Sequence, residues 1–139
     1  MEFIEGQADL FEAPEYYFFA HCISADFKLG AGIAREFCRR FDTRSELFAN
    51  YSKPEAPACL LTTRTLNLVT KKNYWHKPTL KSMEQALMSM RQVCKDNDIR
   101  YVAMPRIGCG LDRLSWPDVK ELVLRIFSDT DIRIVACYL

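Results

Sequence analysis

The chain has almost no net charge: 19 lysines and arginines face 18 aspartates and glutamates, a formal +1. A protein that holds nucleic acid by bulk electrostatics carries a larger basic excess. That class is not indicated, and a local basic cleft is left open. No apolar run comes near the roughly 20 residues that a bilayer span needs. The first residues, Met1 to Gly6, carry neither a basic leader nor a signal-peptide core. The expected location is therefore the nucleus and/or the cytoplasm, with no membrane contact. There is no C-x-x-C pair. Cys22, Cys38, Cys59, Cys94, Cys109 and Cys137 are scattered, mostly within apolar segments where free cysteine acts as a small hydrophobe. Histidine is reduced to His21 and His76, and His21 beside Cys22 lacks the further ligands of a tetrahedral site. No metal and no cofactor is expected. The Walker pattern is absent, and so is the dinucleotide G-x-G-x-x-G, because residue 35 is arginine.

What is present reads as one globular domain over 1–139, 49% apolar and 27% charged. No linker, repeat or interface stands out, so a monomer is expected. Six strand-like segments recur: Glu2–Gln7, Tyr16–Cys22, Cys59–Thr63, Thr65–Thr70, Arg100–Ala103 and Ile132–Tyr138, with Arg64 at the turn of the middle pair. Helical stripes lie between them. One runs Ile33, Ala34, Phe37, Cys38, Phe41; a second helix through Asn50 opens on the capping-box form Thr43-Arg44-Ser45-Glu46. A long stripe from Leu80 to Cys94 follows Thr79 as N-cap, and a last one from Val119 to Phe127 follows Ser115. Strands alternating with helices predict an α/β sandwich around a mostly parallel or mixed sheet, with ligands at the carboxyl ends of the strands.

Two loops have that position and a suitable composition. Gly30-Ala31-Gly32 enters the Ile33 helix, and Arg106-Ile107-Gly108-Cys109-Gly110-Leu111-Asp112 joins a strand to a helix. Backbone amides and helix N-termini in such loops bind anions, and two loops of one sheet suggest a diphosphate held from both sides. Asp112 supplies a carboxylate at the end of the second loop. A strand end carries Thr70-Lys71-Lys72. One of these lysines, beside another cation and partly desolvated, would be a free amine able to attack an aldehyde-like carbon. Nothing local decides which. Asp9-Leu10 reads as a turn or as an acceptor for a nucleobase amino group.

Together, Asp9-Leu10-Phe11, Ala20 to Ser24, Gly30 to Ala34, Thr70-Lys71-Lys72 and Met104 to Trp116 resemble a macrodomain. The resemblance is to the lysine-dependent ALC1-like class that includes terminal ADP-ribose protein glycohydrolase. It implies a three-layer α/β/α sandwich with a mixed six-stranded sheet and a cleft for ADP-ribose. By that resemblance Asp9 and Leu10 hold the adenine end. Ser24, Gly30, Ala31, Gly32, Ile33 and the segment Arg106, Ile107, Gly108, Cys109, Gly110, Leu111 line phosphates and distal ribose, while Leu139 closes over the ligand. Lys71 matches the family nucleophile and Asp112 its catalytic carboxylate. The implied reaction removes ADP-ribose esterified to glutamate or aspartate side chains through a covalent lysyl intermediate, with O-acetyl-ADP-ribose as a second ester. Implied partners are ADP-ribose and mono- or poly-ADP-ribosylated proteins, and nucleic acid only if itself ADP-ribosylated. The alternatives are a reader of ADP-ribose without turnover and a hydrolase of ADP-ribosylated nucleic acid. Ala8, where the family commonly has glycine, departs from the pattern near the adenine end.

Overall fold

Alternating burial along the strands builds the molecule. In the computed structural model, which describes all 139 residues, β1 (Glu2–Gln7), β2 (Phe18–Ser24), β3 (Ala58–Thr62), β4 (Thr65–Lys71), β5 (Tyr101–Met104) and β6 (Arg133–Tyr138) form one sheet in the order β1-β6-β5-β2-β4-β3. All neighbours are parallel except β3, which pairs antiparallel with β4. Ala20, Leu66, Leu68, Val102, Met104, Ile134 and Ala136 point to one face, against α3 (Leu80–Asp96) and α4 (Trp116–Phe127). Phe19, Ile23, Val69, Ala103 and Cys137, the intervening positions, point to the other, against α1 (Gly32–Phe41) and α2 (Thr43–Asn50). A period of two that is apolar on both faces is what a doubly covered sheet requires. The result is a three-layer α/β/α sandwich with a mixed six-stranded sheet.

Local signals explain most boundaries. Thr79 caps α3: its hydroxyl accepts from the Ser82 amide at 3.0 Å, and Ser82 answers to the Thr79 amide. Arg64 takes the left-handed conformation (φ 55°) in the tight β3–β4 turn. Its guanidinium donates to the Tyr17, Ala13 and Pro14 carbonyls and lies over Phe19.

Two expectations need correction, and a third holds without its hydrogen bond. The second strand starts at Phe18 and runs to Ser24, because Tyr17 closes a turn onto Pro14 and then meets the Arg64 guanidinium. Thr43 is not an N-cap: left-handed Asp42 precedes α2, the Thr43 hydroxyl donates to Phe37 O, and Glu46 accepts from the Thr63 amide. Tertiary partners took both groups of the capping box. Ser115 stands at the N-cap of α4 but makes no capping hydrogen bond with its side chain.

Candidate functional site

The loops 25–31, 72–79 and 105–115 leave the carboxyl ends of β2, β4 and β5, three adjacent strands. Since β4 reaches β5 by crossing over β2, the chain opens a crevice there. It is a cavity of about 660 Å³, within the range of cofactor-sized sites. Both glycine loops line it, and so do Lys71 and Asp112.

Lys71 Nζ donates to Asp112 Oδ1 at 2.7 Å, the two side chains being 15% and 14% exposed. A β-bulge aims the lysine. Ile23 pairs with Val69 but Ser24 with Lys71, so Thr70 is an extra residue in β4 and the alternation breaks there. The buried Thr70 hydroxyl is left without a partner. Lys72 is exposed and outside the cavity, so the geometry separates two lysines that sequence alone did not. The expected neighbouring cation is replaced by the Asp112 carboxylate. Cys22 also lines the cavity, but burial, then the charge of Asp112, pushes its thiol up and keeps it protonated. It is no competing nucleophile.

The glycine loops present backbone. Ala31 is extended at the N-cap of α1 and offers no side-chain cap, which leaves the first amides of that helix for an anion. Gly108 is left-handed (φ 75°), and a Cβ there would stand 2.7 Å from Met83 Cε and 3.1 Å from Leu114 Cδ1. Only glycine fits. Arg106 lines the cavity, stacks over Tyr138 at 4.2 Å and donates to Glu5 on β1. Glu5 also accepts from the Trp116 indole at 2.7 Å and from Lys120. One carboxylate thus holds both ends of the 105–115 loop. Partial burial would raise Glu5, but Lys120, Trp116 and Arg106 together keep it below the usual carboxylate range.

Asp26 is a functional element that sequence reasoning passed over. It accepts from the Ser24 hydroxyl at 2.5 Å, the Lys28 amide at 3.0 Å and the Tyr74 amide at 2.9 Å. It ties the loop after β2 to the loop after β4. Burial opposes its charge, and these donors outweigh that and lower its pKa. The available signal was an aspartate two residues beyond a serine at a strand end, an Asx-turn pattern. Phe27 and Leu29, both left-handed (φ 54° and 45°) and buried, anchor the same loop and turn Lys28 outward. Tyr74 and Lys77 complete the cavity wall, and Lys77 Nζ donates to Leu111 O at 2.6 Å.

Four candidate residues stand outside this cavity. Asp9 caps a short 3-10 turn (Leu10–Glu12), accepting from the Phe11 amide at 3.0 Å, and Leu10 is buried against Phe19 and Phe37. Cys109 turns away and donates its thiol to Ile107 O. Leu139 is 93% exposed beyond β6. The cavity is the Lys71–Asp112 half of the proposed ligand path, with Ser24, Gly30, Ala31, Gly32, Ile33, Arg106, Ile107, Gly108, Gly110 and Leu111 along it.

No protein-family model matches the chain. The human protein named ADP-ribose glycohydrolase OARD1 is 40% identical over 130 residues, covering 92% of this chain and 86% of its own length. Among solved structures, the macrodomain of Mycobacterium tuberculosis DarG matches with a TM-score of 0.82 and 21% identity, over 99% of this chain and 97% of its own. Thermosipho africanus DarTG in complex with ADP-ribose matches with a TM-score of 0.71 and 19% identity, over 99% of this chain and 42% of its own. At those identities the two structures speak for the fold alone.

Proposed function

The chain belongs to the family of ADP-ribose glycohydrolase OARD1, with the macrodomain fold, and from that membership we propose that it is an ADP-ribosyl hydrolase acting on ADP-ribose esterified to glutamate or aspartate side chains. Within the macrodomains it falls in the ALC1-like, lysine-dependent class, beside terminal ADP-ribose protein glycohydrolase. The observation that carries the reading is the Lys71–Asp112 pair, 2.7 Å apart in a cavity lined by both glycine loops. A pure reader of ADP-ribose needs neither group as a reactant.

The diphosphate lies between the amides of the Gly30–Ile33 turn and those of the 106–111 loop, which places the distal ribose over Lys71. Lys71 gives its proton to solvent, and the neutral amine attacks the anomeric carbon. The bond to the acyl oxygen breaks, and the carboxylate leaves with the electron pair. Asp112 takes a proton from the resulting secondary ammonium and passes it to the ring oxygen as the ring opens, which leaves a protonated lysyl imine. Water adds to that carbon while Asp112 accepts its proton, and collapse frees ADP-ribose and the amine. O-acetyl-ADP-ribose is a second ester substrate of the same cleft. The protein works on mono- and poly-ADP-ribosylated proteins in the nucleus and/or cytoplasm.

The test is release of ADP-ribose from glutamate-modified protein by the wild type and by Lys71→Ala. Release by the wild type alone supports the reading. Tight ADP-ribose binding with no release over hours identifies a reader instead.

A further inference from the structure

The formal charge of +1 conceals a polarised molecule. Lys71 and the three cleft loops carry Lys28, Lys71, Lys72, Lys77, Arg106 and Arg113 against only Asp26 and Asp112, a net +4, so the rest of the chain carries −3. Charge separated in this way draws anions to one end and repels cations from it. The segment from Lys71 to Thr79 has no acidic residue at all.

Large apolar side chains are exposed at the same mouth. Tyr74 is 53% exposed, Trp75 63% and Leu111 69%. Leu111 adjoins Asp112, and its carbonyl holds the Lys77 ammonium. Leu111 therefore borders the Lys71–Asp112 end of the cavity, where the leaving group departs, while Tyr74 lines the same cavity and Trp75 packs on Tyr74. Lys72 and Arg113 are exposed and lie outside the cavity lining.

We propose that this rim is a docking surface for the polypeptide that carries the ADP-ribose, and that it selects segments with carboxylates flanking the modified residue. The inference rests on the function proposed above and adds the sequence context of the substrate. Ammonium groups beside apolar lips suit glutamate-rich chain, whose methylenes pack while the carboxylates pair. Single-stranded nucleic acid would need free aromatic faces for stacking. Here Tyr74 and Trp75 meet edge to face at 5.2 Å, and Lys28 caps the Tyr74 ring at 5.1 Å. Flanking lysines on a substrate would face a cationic rim.

The experiment compares kcat/KM for three peptides, each with one ADP-ribosylated glutamate, flanked by glutamates, by serines or by lysines. Exposed pairs are individually weak, and about three acting together give roughly a tenfold preference for the acidic peptide over the neutral one. The preference shrinks in high salt. Lys72→Glu and Trp75→Ala keep the wild-type affinity for free ADP-ribose, measured by calorimetry, and lose the preference. Equal rates for all three peptides overturn the proposal, as does a preference that survives Lys72→Glu. An unmodified single-stranded oligonucleotide that inhibits better than an unmodified glutamate-rich peptide also overturns it. If no peptide is cleaved, the proposed function fails on its own. The rim is then decided by the affinities of the same intact peptides, where tighter binding of the acidic one sustains it and equal binding overturns it.

Discussion

Acid should weaken this fold through one imidazole before its carboxylates begin to protonate. His21 is fully buried on β2, stacked on Phe37 at 4.1 Å. Its Nε2 donates to Asn67 Oδ1 at 2.6 Å, since the Asn67 amide group is already given to Leu60 O and Thr62 Oγ1. Nδ1 has no partner. Burial lowers His21 from 6.5 to about 4, against a smaller raising effect of the Asn67 bond. A depressed pKa means that the unfolded chain binds the proton first. The stabilisation is complete above pH 6.5, declines as pH falls, and is gone below about 4. Linkage gives a loss of about 2 kcal/mol between pH 7.5 and 5, and about 3 kcal/mol in all. Urea unfolding at pH 7.5, 6.5, 5.5 and 5 measures it. His21→Gln keeps an amide donor for Asn67 but does not titrate, so it should flatten the slope in this window even if it lowers stability throughout. An equal slope in wild type and variant would refute the assignment.

Other outcomes follow from the loops. Gly108→Ala combines a left-handed backbone with the contacts to Met83 and Leu114; it should cost about 2–3 kcal/mol, a Tm drop of roughly 8–12 °C by calorimetry. Glu5→Ala frees both ends of the 105–115 loop. It should cost about 1–2 kcal/mol and raise hydrogen exchange in that loop more than in α3; unchanged exchange there would contradict the clamp. Lys71→Ala should cut turnover by roughly a thousandfold or more while ADP-ribose affinity stays within about threefold; a comparable loss in both would recast the lysine as a binding residue.

The fold was legible because apolar spacing and breakers agreed: the Leu80–Cys94 stripe, Thr79 and Pro78 define α3, and alternation defines β4 and β6. Capping was less legible. Thr43 and Glu46 match a local pattern, yet Phe37 and Thr63, both outside the four-residue box, hold them. The glycine loops and Asp112 could be read from composition at strand ends. Choosing Lys71 over Lys72 needed a bulge, and a bulge is a property of pairing with Ser24 that neither lysine's neighbours announce. Asp26 and the Glu5 clamp were hidden for the same reason, because their partners lie 48 and up to 115 residues away.

The central claim is that Lys71 forms a covalent bond to the distal ribose and that Asp112 releases it. Intact-protein mass spectrometry of Asp112→Ala, after incubation with ADP-ribose or with glutamate-modified protein, tests it most directly. The account predicts a gain of one ADP-ribosyl unit that persists in Asp112→Ala and vanishes when Lys71→Ala is added. No adduct under any of these conditions, or one that survives loss of Lys71, would contradict it.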